Sequence, residues 1–197
     1  MKCYITLSET NYKIMQKALI NGDDYTESTF FQKGKYGLIK AKVYSCLAEW
    51  MREKLPNIEG EEKLYPLIFE TQKPKYIAAF ADEVKEYLLE CEIPDEELLF
   101  IDFEKLEQAS LGDIVSSSTI EYNRFKSSAR ISGYRPDMII KSSDKLTISQ
   151  KEIKKWIFES WKCFFETQQG NDQEGKWMSI VTFKIKGSYI KNITEVW

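Results

Sequence analysis

Residues 86–101, EYLLECEIPDEELLFI, decide the fold class. Tyr87, Leu89, Cys91 and Ile93 face one way and Leu88, Glu90 and Glu92 the other, the two-residue period of a strand. Pro94-Asp95-Glu96 makes a turn, and 98–101 resumes as a short strand. No helix separates the two runs, so the regular β-α-β alternation of a doubly wound fold is broken here. Toward the N-terminus, KCYITL at 2–7 also alternates. Ser8 can cap a helix with Tyr12, Met15 and Leu19 on one face, and Asn21-Gly22 supplies its stop. Leu38, Ala41, Tyr44, Leu47, Met51 and Leu55 recur at helical spacing until Pro56. LYPLIF at 64–69 reads as a strand that Pro66 directs to an edge or a bulge. Residues 103–110 read as a helix.

Toward the C-terminus, Ser149 and Glu152 form a capping box before a helix that carries Ile153, Trp156, Ile157, Trp161 and Phe164. KWMSIVTFKIK at 176–186 is a long alternating strand with Trp177, Ser179, Val181, Phe183 and Ile185 on one side. Gly187-Ser188 turns it, and 188–193 is expected to pair back or run beside it. Between these halves, 112–148 lacks a clear helix or strand period and is expected to be a long irregular insertion, the kind of segment that carries function. The expected fold is therefore α+β: a single domain with a mostly antiparallel mixed sheet and three main helices packed on it.

Composition excludes several chemistries. The chain has no histidine, so Ser-His-Asp and Cys-His pairs and every His-containing metal site are absent. Cys3, Cys46, Cys91 and Cys163 stand far apart with no CxxC pair, as in reduced cysteines buried in a cytoplasmic protein. No apolar run suits a membrane span and no signal-peptide core is visible, so no membrane partner is expected. No metal or cofactor is expected either. A net charge of −3 requires any nucleic-acid binding to come from a local patch.

Such a patch is visible. Three of the four arginines, Arg124, Arg130 and Arg135, lie close together, interleaved with Tyr122, Phe125, Lys126 and Tyr134. Guanidinium forks fit phosphate or carboxylate, and rings can stack bases. The expected function is a non-catalytic binding protein that engages an anionic partner through this loop: nucleic acid, nucleoprotein or an acidic protein surface. The plainer alternative is a solvated loop whose arginines pair with Glu121 and Asp137. Glu90 and Glu92, at i,i+2 with an acidic turn after them, are the only other ligand-like pair and read as a solvated strand face. Phe30, Phe31 and Tyr36 form an exposed aromatic patch that could pack in a homodimer.

Two resemblances add to this. ITLSETNYKIM at the start, AEWM at 48–51, YPLI at 65–68, CEIPDEELLFIDFE at 91–104, ESWKCFF at 159–165 and TFKIKGSYIKNI at 182–193 resemble, in this order, the bacterial domain-of-unknown-function family 3841. The resemblance covers most of the chain except 112–148. It implies a compact intracellular domain of bacteria and their mobile elements, with a defence or anti-defence role, and brings no catalytic residues. Separately, the strand–helix unit opening at Tyr4 looks like the opening of ADP-ribosyltransferase-like domains. That likeness implies a nicotinamide dinucleotide cleft lined by Tyr4, Thr6 and the late Glu174. Tyr4 stands where those enzymes place His or Arg.

Overall fold

A computed structural model describes residues 1–26, 34–55, 64–74, 85–116, 118–165 and 178–196; the side chains of 34–36 and 163–165 lie outside that description. The fold is α+β, with five helices and a six-stranded antiparallel sheet among the described residues. The chain divides into two compact units. Phe30, Phe31, Glu174 and Trp177, and the side chains of Tyr36, Cys163 and Phe164, fall outside the described residues.

The first unit, residues 1–29, 51–100 and 178–197, holds the sheet. Its strands are β1 (Lys2–Ser8), β3 (Leu67–Glu70), β4 (Glu86–Glu92), β5 (Leu99–Asp102), β6 (Met178–Thr182) and β8 (Ile190–Val196), in the order β5-β6-β3-β1-β4-β8. The last residues of β5 belong to the second unit. β1 and β4 pair antiparallel from Lys2↔Glu92 to Ser8↔Glu86, so the alternation in both sequences lands on shared faces. The short strands β2 (Tyr25–Thr26) and β7 (Lys184–Ile185) form a separate ribbon.

Helix α1 (Glu9–Ile20) begins where Ser8 accepts from the Asn11 amide at 3.3 Å and ends at Asn21, with Gly22 at a φ of 85°. Met15 is fully buried in a core with Cys3, Leu7, Phe69, Leu89 and Ile180; Tyr12 and Leu19 pack against it. Tyr12 stacks on Tyr87 with centroids 3.8 Å apart. Cys3 and Cys91 face each other across the β1–β4 ladder, and burial pushes both thiols up to about 12, which makes them packing groups rather than nucleophiles.

The second unit comprises residues 30–50 and 101–177. It contains most of α2 (Gly34–Lys54), then α3 (Phe103–Ser110), α4 (Thr119–Ser132) and α5 (Ile148–Phe165). Asp102 caps α3, accepting from the Lys105 amide at 3.1 Å. Ile153, Ile157 and Trp161 of α5 are buried, as their spacing requires.

Several expectations are corrected. Residues 112–148 are not irregular: α4 occupies 119–132, and 3-10 turns follow at Pro136–Ile140 and Ser143–Lys145. Among the described residues α4 is thus a helix beyond those the sequence leads one to expect. The capping box of α5 lies two residues before Ser149: Thr147 Oγ1 accepts from the Gln150 amide at 3.3 Å, and Gln150 Oε1 accepts from the Thr147 amide at 3.1 Å. Thr147–Gln150 and Ser149–Glu152 have the same motif spacing, and Gln serves as well as Glu. On α2, Leu38 is exposed, whereas Ile39 and Val43 are fully buried. Pro66 does not mark an edge; β3 starts at the next residue and lies between β1 and β6. β1 is an interior strand, and residues 190–196 form an edge strand on β4 rather than pairing back on 176–186. No helix among the described residues is long and apolar enough to cross a membrane.

One clamp in the first unit has a pH signature. Glu97 accepts from Lys186 Nζ at 2.7 Å and from the Tyr189 hydroxyl at 2.6 Å. Burial alone would raise its pKa, but these two donors outweigh it and hold the carboxyl below its ordinary 4.5. A carboxyl with a lowered native pKa contributes stability that is complete above the ordinary value and is lost as pH falls through the native one. The urea midpoint should therefore fall between about pH 5 and pH 3, and Glu97→Gln should lower the midpoint at pH 7 while making that acid decline shallower. Identical pH slopes for the two proteins would remove this role.

Candidate functional site

The turn after α3 sets up the site. Gly112 adopts φ 76°, and a Cβ there would lie 3.1 Å from Pro136 Cβ and 3.3 Å from Ile39 Cγ2, so the position needs glycine for both conformation and space. Asp113 follows, and it ties three elements together. Its carbonyl accepts from Trp161 Nε1 of α5 at 2.9 Å. Its Oδ2 accepts from Lys126 Nζ at 2.6 Å and from the Tyr122 hydroxyl at 3.1 Å, both on α4. Burial would lower the pKa of Lys126, yet the bonds to Asp113 and Tyr122 outweigh it and raise the value. The ammonium is thereby committed within the molecule.

α4 forms because both ends are capped. The Ser118 side chain accepts from the Glu121 amide at 3.3 Å, and Gly133, at φ 65°, closes the helix with Gly133 N–H donating to Arg130 O and Tyr134 N–H to Ala129 O. Phe125 and Ala129 form the buried face, and Phe125 meets Trp156 of α5 edge-on at 5.6 Å. Gln150 donates to Ser132 O at 3.1 Å, a second tie to α5. The reversal at Gly133 brings Tyr134 back against the helix, where it is buried. Its hydroxyl has no hydrogen-bond partner among the described residues, an arrangement that costs about 1–3 kcal/mol when nothing else supplies one. Burial, followed by the charge of Asp137, raises its pKa.

The arginine segment divides accordingly. Arg124 and Arg130 are exposed and make no ion pair among the described residues. Arg135 is exposed as well and holds Asp137 loosely at 3.4 Å. Glu121 is taken by the Ser116 hydroxyl at 2.5 Å rather than by an arginine. Six residues separate Arg124 from Arg130, so they point about 120° apart around the helix. Phe125 and Tyr134 are buried, and this corrects their expected role as stacking platforms. Arg124 shares its face with Ile120 and Ile131, which are 82% and 87% exposed. Arg130 lies on the Lys126 side. Asp113 and the exposed isoleucines went unread as site residues. Isolated surface isoleucines carry no sequence signal, and Asp113 is significant only because the fold brings Trp161, Tyr122 and Lys126 to it.

The other candidates do not come together. Tyr4 is buried with Leu88 and Val196 on the interior strand β1, Thr6 is exposed, and Glu174 is outside the described residues. Glu90 is paired with Lys2 at 2.6 Å and Glu92 with Lys191 at 3.4 Å. Among the described residues no group of three His, Cys, Asp or Glu is arranged to hold a metal. Compared with models of protein families, with curated proteins and with solved structures, the chain finds no match.

The cap at Gly133 offers a clean test of the local geometry. No atom lies within 4 Å of a Cβ placed there, so Gly133→Ala carries only the left-handed backbone penalty, about 1–2 kcal/mol. Gly133→Asn should cost less, because Asn tolerates that conformation. Urea unfolding of the two variants checks the order; equal costs would mean the αL cap is absent.

Proposed function

We propose that this chain is a non-catalytic binding protein that engages an acidic protein surface through the outward face of α4. The observation that carries the reading is Arg124, exposed and unpaired among the described residues, on a helix face with Ile120 and Ile131. A guanidinium needing a carboxylate and two isoleucines needing cover are the ingredients of an interface anchor, since arginine and buried apolar area carry much of the energy at interfaces. Covering the two isoleucines would contribute at about 25 cal/mol per Å² of apolar area removed from water.

Nucleic acid suits this face less well. Phosphates gain nothing from exposed isoleucines, Phe125 and Tyr134 are buried, and the net charge is −3. Supporting the anionic-partner reading over the plainer one, Arg124 and Arg130 are not neutralised by Glu121 or Asp137. The setting in bacterial or phage defence or anti-defence, within the cytoplasm, comes from the resemblance of the sequence phrases to family 3841.

The test is capture from a bacterial lysate on the immobilised protein, with and without nuclease. Wild type should retain a protein that survives nuclease treatment and elutes with rising salt, and Arg124→Ala combined with Ile131→Ser should reduce retention at least tenfold, since hot-spot losses reach about 2 kcal/mol or more. Retention of the same proteins by the double variant, or loss of all retention on nuclease treatment, would overturn the reading.

A further inference from the structure

A cavity of about 220 Å³ lies beneath the C-terminal half of α4, and nothing in the proposed interface uses it. Its walls include Gly112, Asp113, Phe125, Lys126, Arg130 and Tyr134, all within the second unit. We propose that this cavity is a binding site for a monoanion: a carboxylate carried on a short apolar stem.

Charge sets the class. Lys126 is neutralised by Asp113 at 2.6 Å, which leaves Arg130 as the cation of the cavity with no ion pair among the described residues. The lining therefore offers a net charge of about +1, and the Asp113 carboxylate in the wall opposes a second negative charge. A phosphate dianion is disfavoured on that ground, whereas a carboxylate matches the planar fork of one guanidinium.

Hydrogen bonding sets the polarity. Tyr134 lines this space, but its hydroxyl is closed to water and lacks an acceptor among the described residues, so the donor open to a carboxylate, which is acceptor-only when ionised, is the Arg130 fork. The remaining wall is apolar: Phe125 with Ala129 and Pro136 can take a methylene stem or a single ring. Glycine at 112 keeps the backbone close to Pro136, where any side chain would intrude.

Size sets the limit. The volume is below the roughly 300–1,000 Å³ of drug-sized ligand pockets, so the occupant is a small organic acid or one acidic side chain of a peptide, not a nucleotide cofactor. The proposal is independent of the Ile120–Arg124–Ile131 face, because Arg130 and Tyr134 lie elsewhere on α4 and its cap.

The test uses the full isotope-labelled chain and amide NMR titration with four probes: benzoate, phenyl phosphate, benzyl alcohol and N-acetylglutamate amide. Benzoate or the glutamate derivative should shift the Gly112, Asp113 and Tyr134 amides saturably, and the tighter of the two identifies a free acid or a peptide side chain as the source. Benzyl alcohol and phenyl phosphate should bind more weakly. Arg130→Ala should weaken the carboxylate by about tenfold or more, and Tyr134→Phe, which keeps the ring that lines the space, should leave the affinity within about twofold. No saturable shift with either carboxylate, which would leave the site to water, overturns the proposal. So does binding of phenyl phosphate as tight as benzoate, or unchanged affinity in Arg130→Ala.

Discussion

Three of the bonds made by Asp113, those to Trp161, Tyr122 and Lys126, are the constraint on which the candidate surface depends. One backbone carbonyl holds the Trp161 indole, and one carboxylate oxygen holds both the Tyr122 hydroxyl and the Lys126 ammonium. These contacts join the turn after α3 to α4 and α5, and with Phe125 against Trp156 they fix which side of α4 faces inward. Exposed ion pairs are worth only about 0–1 kcal/mol. The Asp113 side chain is 15% exposed but that of Lys126 is 51% exposed, so the part-buried bonds from Tyr122 and Trp161 carry more of the tie than the ion pair does. The consequence for function follows on α4: Lys126 is consumed internally, whereas Arg124 and Arg130 have no ion pair among the described residues.

Much of the sheet unit was legible because burial on one face imposes period two. The Cys3–Leu7 and Tyr87–Ile93 alternations meet in register across β1 and β4, and Ser8, Met15 and Gly22 mark the start, face and stop of α1 as their chemistry demands. Strand neighbours were not legible. Nothing in Ile190–Val196 says that it pairs with β4 rather than with the strand just before it, because backbone ladders carry no residue code.

α4 hides its helical period for a definable reason. Only Phe125 and Ala129 are buried on it, while Ile120 and Ile131 point to solvent. Apolar residues on two faces erase the helical period that α5 displays so clearly with Ile153, Ile157 and Trp161. The signals that were present were local: Ser118 at the N-cap and Gly133 at the C-terminus. The hidden period and the functional interest thus share an origin, since residues placed for something other than this chain's own core are the ones that break its pattern. The arginines stood out by composition, but their division between two faces, and the withdrawal of Phe125 and Tyr134 into the interior, needed the fold.

The most direct measurement is amide hydrogen exchange across 119–132 in the wild-type chain and in Asp113→Ala. A docked, capped α4 predicts strong protection in the wild type, with a selective loss there in the variant while β1 and β4 amides stay protected. Rapid exchange of these amides in the wild type would contradict the account, because an unfolded segment could neither present Arg124 on an ordered face nor roof the cavity beside Tyr134.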